Sequence, residues 1–346
     1  MSGVYIDLAR THAPLLAVSL PLVGAALALV SGPARLAWIV AVVSAVAAAL
    51  VATDFALIVF SGAPQRIADV GVALHVDGVG AFGAALVSCL GALTLLAAGA
   101  YLKDAGARAA PFALALMLCM IAGWNAALAA RDLVGLVIGV ETAWLAGVAL
   151  VAAHSLRERG ALNGALRMLT IGGVASAFTL IGIGLIGRAV GLRLDVLPIA
   201  HIAMPLLAGA GVTLVLVGLA VKAAAAPAHA WAAAALGRGG ATVGLLVGGV
   251  GIVGALLVLT RFSAFSIAAP EIGAGVSAAM AALGAISVVI GSVQAVGART
   301  LPRLAVYACV SQTGCVLVAI ALGSPAGFAA ALIQILALAA TALALF

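Results

Sequence analysis

Charge is scarce in this chain of 346 residues: only 8% of them are Asp, Glu, Lys or Arg. Soluble domains carry about 25% charged residues, so this chain has too little polar surface to fold as one. Aromatic residues are also few, at 5%, whereas apolar residues make up 66% and the mean hydropathy is +1.36. This composition excludes a soluble domain and predicts an integral membrane protein.

Cysteine is equally sparse, and its spacing excludes several cofactors. The four cysteines lie in apolar runs without the spacing of zinc, iron–sulfur or c-type haem sites, so we interpret them as small buried hydrophobic residues. They are Cys89, Cys119, Cys309 and Cys315. The chain also lacks a Gly-x-x-x-x-Gly-Lys phosphate loop. We therefore expect no metal, redox centre or other cofactor in this chain.

Basic residues exceed acidic ones, with 16 Lys+Arg against 10 Asp+Glu, but no basic run is long enough to indicate nucleic-acid binding. In a membrane protein such an excess reports topology, because Lys and Arg concentrate in inside loops. With the N-terminus outside, the inside loops hold nine basic residues: Arg35, Lys103, Arg108, Arg157, Arg159, Arg167, Arg238, Arg299 and Arg303. The outside segments hold six: Arg10, Arg66, Arg131, Arg188, Arg193 and Arg261. The count favours an N-terminus outside. Because Asp7 and Arg10 precede a first apolar run long enough to span, we expect no cleavable signal peptide.

Long apolar runs fill the chain and predict one all-α transmembrane domain over residues 1–346. A bilayer core needs about 20 apolar residues in a helix. Eleven spans follow: Ala13–Ser31, Leu36–Ser61, Gly78–Leu102, Pro111–Ala130, Leu133–Ala153, Met168–Ile186, Ile202–Ala226, Gly240–Leu259, Val276–Val296, Leu304–Leu322 and Pro325–Phe346. The many Gly and Ala residues favour close helix packing, although a GC-rich genome gives the same composition.

Two residues of opposite charge, Glu141 and Lys222, interrupt separate apolar runs. An ionisable group in lipid is costly, so both should face the protein interior and each other, as a structural ion pair or as part of an ion route. Pro227 follows Lys222 by five residues and predicts a break in the seventh helix. Broken helices in membranes line cavities, since their freed backbone groups need partners.

Other polar and aromatic residues have more ordinary interpretations. His229 either shuttles protons or caps the broken helix through hydrogen bonds. We interpret Asp132 as a cap and Arg131 as an anchor in the loop before the fifth span. Asp54 is interpreted as a residue near the surface. The histidines at span ends, His154 and His201, are interpreted as interfacial. The tryptophans favour packing or interface belts over a cofactor site; they are Trp38, Trp124, Trp144 and Trp231.

Five motifs in order resemble the antiporter-like proton-translocating subunits of respiratory complex I, multisubunit sodium/proton antiporters and membrane-bound hydrogenases. The resemblance covers residues 77–346. Its motifs are Asp77-Gly78; the spacing from Asp132 to Glu141; Arg167 with Gly172 and Ser176; Lys222 with Pro227, His229 and Trp231; and Arg303 to Tyr307 followed by Ser311 to Gly314.

The resemblance implies a non-redox subunit of a proton-translocating complex in the bacterial cytoplasmic membrane. Glu141, Lys222 and His229 would belong to a proton pathway and Pro227 to the helix break. Asp132, Arg167 and Arg303 would support the pathway. The implied partners are other membrane subunits, including homologous antiporter-like ones, and lipid, with no nucleic acid. A moving carboxylate beside a buried lysine would switch the proton affinity of that lysine.

The departures from the family pattern concern the later part of the pathway. The family's eighth-span lysine falls at Val253, or at Ile252 if the register slips, and its eleventh-span titratable groups fall at Gln334, Leu338 and Ala342. Members have about three further spans. We therefore expect proton movement through this chain to stop short of a complete crossing. Two alternatives stay open: a non-conducting scaffold in such a complex, and a stand-alone secondary transporter.

Overall fold

The structure, a computed structural model, describes most of the chain: residues 11–62, 74, 76–101, 109–154, 160–194, 202–237, 240–269 and 271–346. Several residues named above lie outside this part: Asp7, Arg10, Arg66, Lys103, Arg108, Arg157, Arg159, His201 and Arg238. Since most of the loop charges that favour an outside N-terminus are among them, that orientation stays a prediction.

The regular structure of the described residues is helical, apart from two isolated backbone bridges. The helices are α1 (Ala13–Val30), α2 (Ala34–Phe60), α3 (Gly78–Tyr101), α4 (Ala109–Ala129), α5 (Leu133–Ala153), α6 (Ala161–Ala189), α7 (Pro205–Lys222), α8 (Ala230–Leu236), α9 (Gly240–Val243), a π-helical segment (Gly244–Gly251), α10 (Ile252–Ile267), α11 (Gly273–Val296), α12 (Leu301–Ala321) and α13 (Pro325–Leu345). Eleven helical stretches in this part of the chain are long and apolar enough to span a membrane. The predicted number of spans and the all-α class are confirmed.

Two spans extend at least seven residues beyond a predicted end, because charged residues taken as loop positions lie inside helices. The sixth span, predicted over Met168–Ile186, is the whole of α6 and includes Arg167. The eighth, predicted over Gly240–Leu259, continues to Ile267 and includes Arg261. The assignment of Arg261 to an outside segment is therefore wrong.

Arg261 is buried and closes the junction of α3, α4 and α10. Its Nε donates to Asp77 Oδ2 over 2.6 Å, and its Nη1 donates to the carbonyl of Ala130 over 2.7 Å. The other oxygen of Asp77 accepts from the Gly80 amide over 2.8 Å and caps the first turn of α3. Asp77, at the start of the third span, therefore forms an ion pair with a buried arginine of the eighth span.

Small residues bring several helices into close contact, as the packing interpretation of the composition predicted. A Cβ atom on Gly123 of α4 would lie 2.5 Å from the backbone nitrogen of Ala143 in α5. A Cβ atom on Gly314 of α12 would lie 2.6 Å from the carbonyl oxygen of Gly284 in α11. No real Cβ fits at such distances, so these two helix crossings require glycine.

The packing interpretation of the tryptophans is confirmed. Trp124, Trp144 and Trp231 are buried, and half-buried Trp38 donates to the carbonyl of Leu95 over 2.8 Å, so all four tryptophans pack between helices.

Other single-residue predictions are mixed. Asp54 is exposed, as expected. His154 lies at the end of α5, as expected, and its side chain is buried within the protein. Cys309 is buried and Cys89 and Cys119 are partly buried, whereas Cys315 lies on an exposed face of α12. The prediction of four buried cysteines is wrong for Cys315, because an apolar outer face needs no burial in lipid.

Candidate functional site: a buried ion pair at a helix break

The seventh span is broken, as predicted, but earlier than predicted. Helix α7 ends at Lys222 rather than Ala226, and α8 begins at Ala230. Proline cannot donate a backbone hydrogen bond and disfavours helical geometry in the residue before it, so the helix stops upstream of Pro227. Ala224 adopts a φ of 60°, which turns the chain out of the helix.

Side chains from neighbouring helices satisfy the backbone groups that this break frees. Ser287 of α11 accepts a hydrogen bond from the Ala226 amide over 2.9 Å. Thr313 of α12 donates to the carbonyl of Ala223 over 3.0 Å, and the Trp231 indole donates to that of Val221 over 2.9 Å. The break is therefore held open by specific partners, which membrane burial demands.

Lys222, the last residue of α7, forms an ion pair with Glu141 of α5, as predicted. Its Nζ lies 2.9 Å from Oε1 and 3.1 Å from Oε2 of Glu141. The lysine side chain is fully buried, whereas that of Glu141 is 26% exposed. Protein atoms therefore enclose the lysine of the pair completely, whereas the glutamate is partly exposed at the surface.

Ser176 of α6 joins both members of the ion pair. Its hydroxyl lies 3.1 Å from Lys222 Nζ, 2.7 Å from Glu141 Oε1 and 2.8 Å from the carbonyl of Gly172. A hydroxyl carries a single proton, so it donates to Glu141 or to Gly172 at any one time. The hydrogen-bonding state of Glu141 therefore depends on the rotation of this hydroxyl.

An aromatic wall covers the other side of the lysine. The ring of Trp144 lies 4.8 Å from Lys222 Nζ and meets the Trp231 ring edge-on, with centroids 4.8 Å apart. A Cβ atom on Gly172 would collide with the Trp144 indole, so glycine at this position lets α6 approach. The wall excludes water from one side of the ammonium and strengthens its electrostatic coupling to Glu141.

His229 lies beyond the break and lines a cavity of about 600 Å³. Its Nε2 lies 2.7 Å from Gln294 Oε1 of α11, and its Nδ1 has no hydrogen-bond partner among the described residues. His229 holds the N-cap position of α8, but its side chain makes no capping hydrogen bond there. The interpretation of its side chain as a cap is therefore wrong, and the side chain bonds Gln294 at the edge of the cavity instead.

The three residues predicted to support the pathway lie in two different places. Asp132 caps α5 by accepting from the Gly135 amide over 2.7 Å, as expected. Arg167 and Arg303 line the cavity with His229. Arg167 is nine residues from Ser176 on α6, which is about 14 Å along the helix axis, so Arg167 does not reach the ion pair directly.

The positions that depart from the family pattern are apolar and enclosed. Val253, Ile252 and Leu338 are fully buried and Ala342 is nearly so, whereas Gln334 is half-buried. No titratable side chain replaces the family's groups at these positions.

Sequence reasoning gave no role to Ser287, Thr313 or Gln294, although Thr313 lies within the motif Ser311 to Gly314. A signal for the other two was present, since Ser287 and Gln294 are seven residues apart and so share one face of the mostly apolar α11. That shared polar face is the one turned to the break and to His229.

Comparison with known proteins agrees with this geometry. The family model for "NADH:quinone oxidoreductase/Mrp antiporter, TM" matches residues 130–346, which is more than half of the chain and includes the ion pair and the helix break. The chain belongs to this family. The NADH-quinone oxidoreductase subunit N of Desulforudis audaxviator is 30% identical over 278 residues, covering 77% of this chain and 53% of that protein.

Comparison with solved structures shows that this chain shares its fold with subunits of two multi-subunit complexes. A chain of the Mrp complex from Dietzia sp. superposes with a TM-score of 0.82 at 23% identity, covering 96% of this chain and 63% of that one. A chain of respiratory complex I from Thermus thermophilus gives 0.72 at 25% identity, covering 93% and 69%. The chain spans about half the length of the curated relatives it matches.

Proposed function

We propose that this chain is an antiporter-like subunit of a redox-driven proton-translocating complex and that it contributes part of the proton pathway. The ion pair between Glu141 and Lys222, with Ser176 bonded to both, is the observation on which the proposal rests. Buried charges in a membrane protein mark ion routes more often than they stabilise the fold. Family membership and the match to subunit N support the same conclusion.

Lys222 lies where a small movement would change its electrostatic interaction with Glu141. It is the last helical residue of α7, and the irregular segment Ala223–Pro227 follows directly. The Coulomb energy of an ion pair in a weakly polar interior falls steeply with separation, so moving Glu141 away lowers the affinity of the amine for its proton. Binding and release of a proton by Lys222 would thus follow the distance between the two side chains.

His229 supplies the approach from one side of the membrane. The cavity that it lines is large enough to hold several waters, and its Nδ1 is unpartnered within the described structure. We assign this histidine the role of exchanging protons between cavity water and the region of the helix break. Redox chemistry, on this proposal, belongs to partner subunits.

A second candidate function, a non-conducting scaffold, is favoured by the enclosed apolar positions Val253, Leu338 and Ala342. An apolar stretch excludes the water that would bridge titratable groups. We therefore propose that the pathway of this chain stops short of a complete crossing and that a neighbouring subunit or further spans complete it.

The proposed setting is a multi-subunit assembly, either complex I-like or membrane-bound hydrogenase-like, in a bacterial cytoplasmic membrane. Exposed apolar side chains on α1 and α2 offer faces for packing against homologous subunits or lipid; among them are Val30, Val43, Leu50 and Leu57. The loop charges support an N-terminus outside.

The decisive experiment compares Lys222→Arg with the unmodified chain in the assembled complex. Arginine keeps the positive charge beside Glu141 but does not release its proton in proteins. We expect fewer protons moved per turnover with assembly intact, measured in proteoliposomes. Arg188→Lys is the matched control, because Arg188 is exposed at the far end of α6. An unchanged proton count with Lys222→Arg would overturn the pathway and leave the scaffold. Lys222→Ala, which removes the charge as well as the titratable amine, should lower the proton count as much and should disturb assembly in addition.

A further inference from the structure

A basic cavity lies on the side of the break opposite to the ion pair. We use this name for the space of about 600 Å³ lined by Arg167, His229, Gln294, Arg303 and Tyr307 among others. A second space of about 280 Å³ shares the last three of these residues and adds Arg299. No acidic residue is among the described residues that line either space. The volume of the basic cavity by itself is within the range of small-molecule sites, which is about 300–1,000 Å³.

The arginines of the basic cavity and of the adjoining space differ from Arg261, because no carboxylate among the described residues pairs with them. Arg167, Arg299 and Arg303 are exposed, and none of them forms an ion pair with a described carboxylate. His229 lines the same cavity and is only 7% exposed, with its Nδ1 buried and without a partner among the described residues. The guanidinium groups of Arg167 and Arg303 at this cavity, with that of Arg299 at the adjoining space, fit an anion that accepts several hydrogen bonds.

The basic cavity lies at the ends of the helices that line it. Its residues come from the first two turns of α6 and α12, from the last turn of α11 and from α8. Exposed apolar side chains follow on the same helices toward the middle of the spans: Leu169 of α6 is 44% exposed, and Val289 and Val293 of α11 are more than half exposed. A ligand here would meet cations at one end and apolar helix faces at the other.

We propose that the basic cavity binds the phosphate headgroup of an anionic phospholipid, with the acyl chains along the apolar faces of α6 and α11. Arginine binds phosphate oxygens through two parallel hydrogen bonds, and Arg167 and Arg303 approach from different helices. Tyr307 and Asn163 add polar groups that fit the ester and glycerol oxygens. Basic pockets between membrane helices select anionic headgroups in the same way. The proposal does not depend on proton movement through the chain.

The test measures lipid retention and thermal stability of the purified full chain. In nanodiscs of phosphatidylcholine with and without phosphatidylglycerol, we expect the anionic lipid to raise the Tm and to remain bound in native mass spectrometry. The double variant Arg167→Gln/Arg303→Gln should lose more than half of both effects. The control Arg35→Gln/Arg188→Gln removes two exposed arginines at other helix ends and should lose neither.

Three outcomes would overturn the proposal. One is equal retention of phosphatidylcholine and phosphatidylglycerol by the unmodified chain, which is measurable even if the double variant does not fold. Another is an equal loss in the double variant and its control, which would indicate general surface attraction. The third is full stabilisation by inorganic phosphate or glycerol 3-phosphate alone, which would assign the cavity to a free anion rather than to a lipid.

Discussion

Two buried ion pairs in the described part of the chain, Arg261 with Asp77 and Lys222 with Glu141, join the same kinds of charge but have different surroundings. Arg261 bonds Asp77 and also the backbone carbonyl of Ala130, and Asp77 is fixed by its cap on α3. Lys222 contacts only side chains among the described residues, namely Glu141, Ser176 and Trp144. Backbone partners cannot rotate away, whereas side-chain partners can.

The chemistry of the two cations sharpens this difference. Arginine stays protonated in proteins, so the pair of Arg261 and Asp77 holds three helices together and cannot pass a proton. Lysine changes its protonation readily when buried. Burial alone therefore does not decide whether a charge pair in a membrane protein is structural or functional. The type of cation and the partners of the pair decide it.

The largest expected effect is on the structural pair. Arg261→Met should destabilise the chain by about 3–5 kcal/mol, because it leaves Asp77 and the carbonyl of Ala130 without their partner. Lys222→Met should cost less, since it orphans no backbone group. The measurement is the Tm of each purified variant in the same detergent, with Arg188→Met as the exposed control. A smaller loss for Arg261→Met than for Lys222→Met would reverse the comparison.

A smaller effect is expected at the helix break beside the lysine. Ser287→Ala removes the partner of the buried Ala226 amide and should cost about 1–3 kcal/mol. Ser266→Ala is the matched control, because Ser266 is equally buried but bonds only a carbonyl of its own helix. Thermal unfolding compares the two, and hydrogen exchange at Ala226 should rise only in Ser287→Ala. Equal losses would show that the break needs no partner from α11.

The smallest effect concerns the hydroxyl that joins the functional pair. Ser176→Ala should weaken the pair by about 1 kcal/mol. Thr170→Ala on the same helix is its control, because the Thr170 hydroxyl bonds only carbonyls of α6. A double-mutant cycle measures the coupling: the loss from Ser176→Ala should change when Lys222→Met is already present, because only the bond of Ser176 to Glu141 then remains. A loss of the same size in both backgrounds would show that Ser176 is not coupled to Lys222.

Local rules read from the sequence were sufficient for the spans and for the centre of the site. Hydropathy and helix length gave the eleven spans, because each span must be apolar over about 20 residues whatever its neighbours are. The position of Pro227 placed the break to within one turn. The cost of burying Glu141 and Lys222 predicted that they would face each other, although 81 residues separate them.

Only the tertiary structure decided which residues complete each site. The pairing of Arg261 with Asp77 joins positions 184 residues apart, and charge counting had placed that arginine in a loop. The partners of the broken helix, Ser287 and Thr313, and the contact of His229 with Gln294 likewise come from other helices. Hydropathy predicts that a helix crosses the membrane, but it does not determine the rotation of the helix or its crossing angle. The rotation and the crossing angle depend on how closely small residues such as Gly123 and Gly314 let neighbouring helices approach. That approach in turn depends on the packing of all the helices in the bundle.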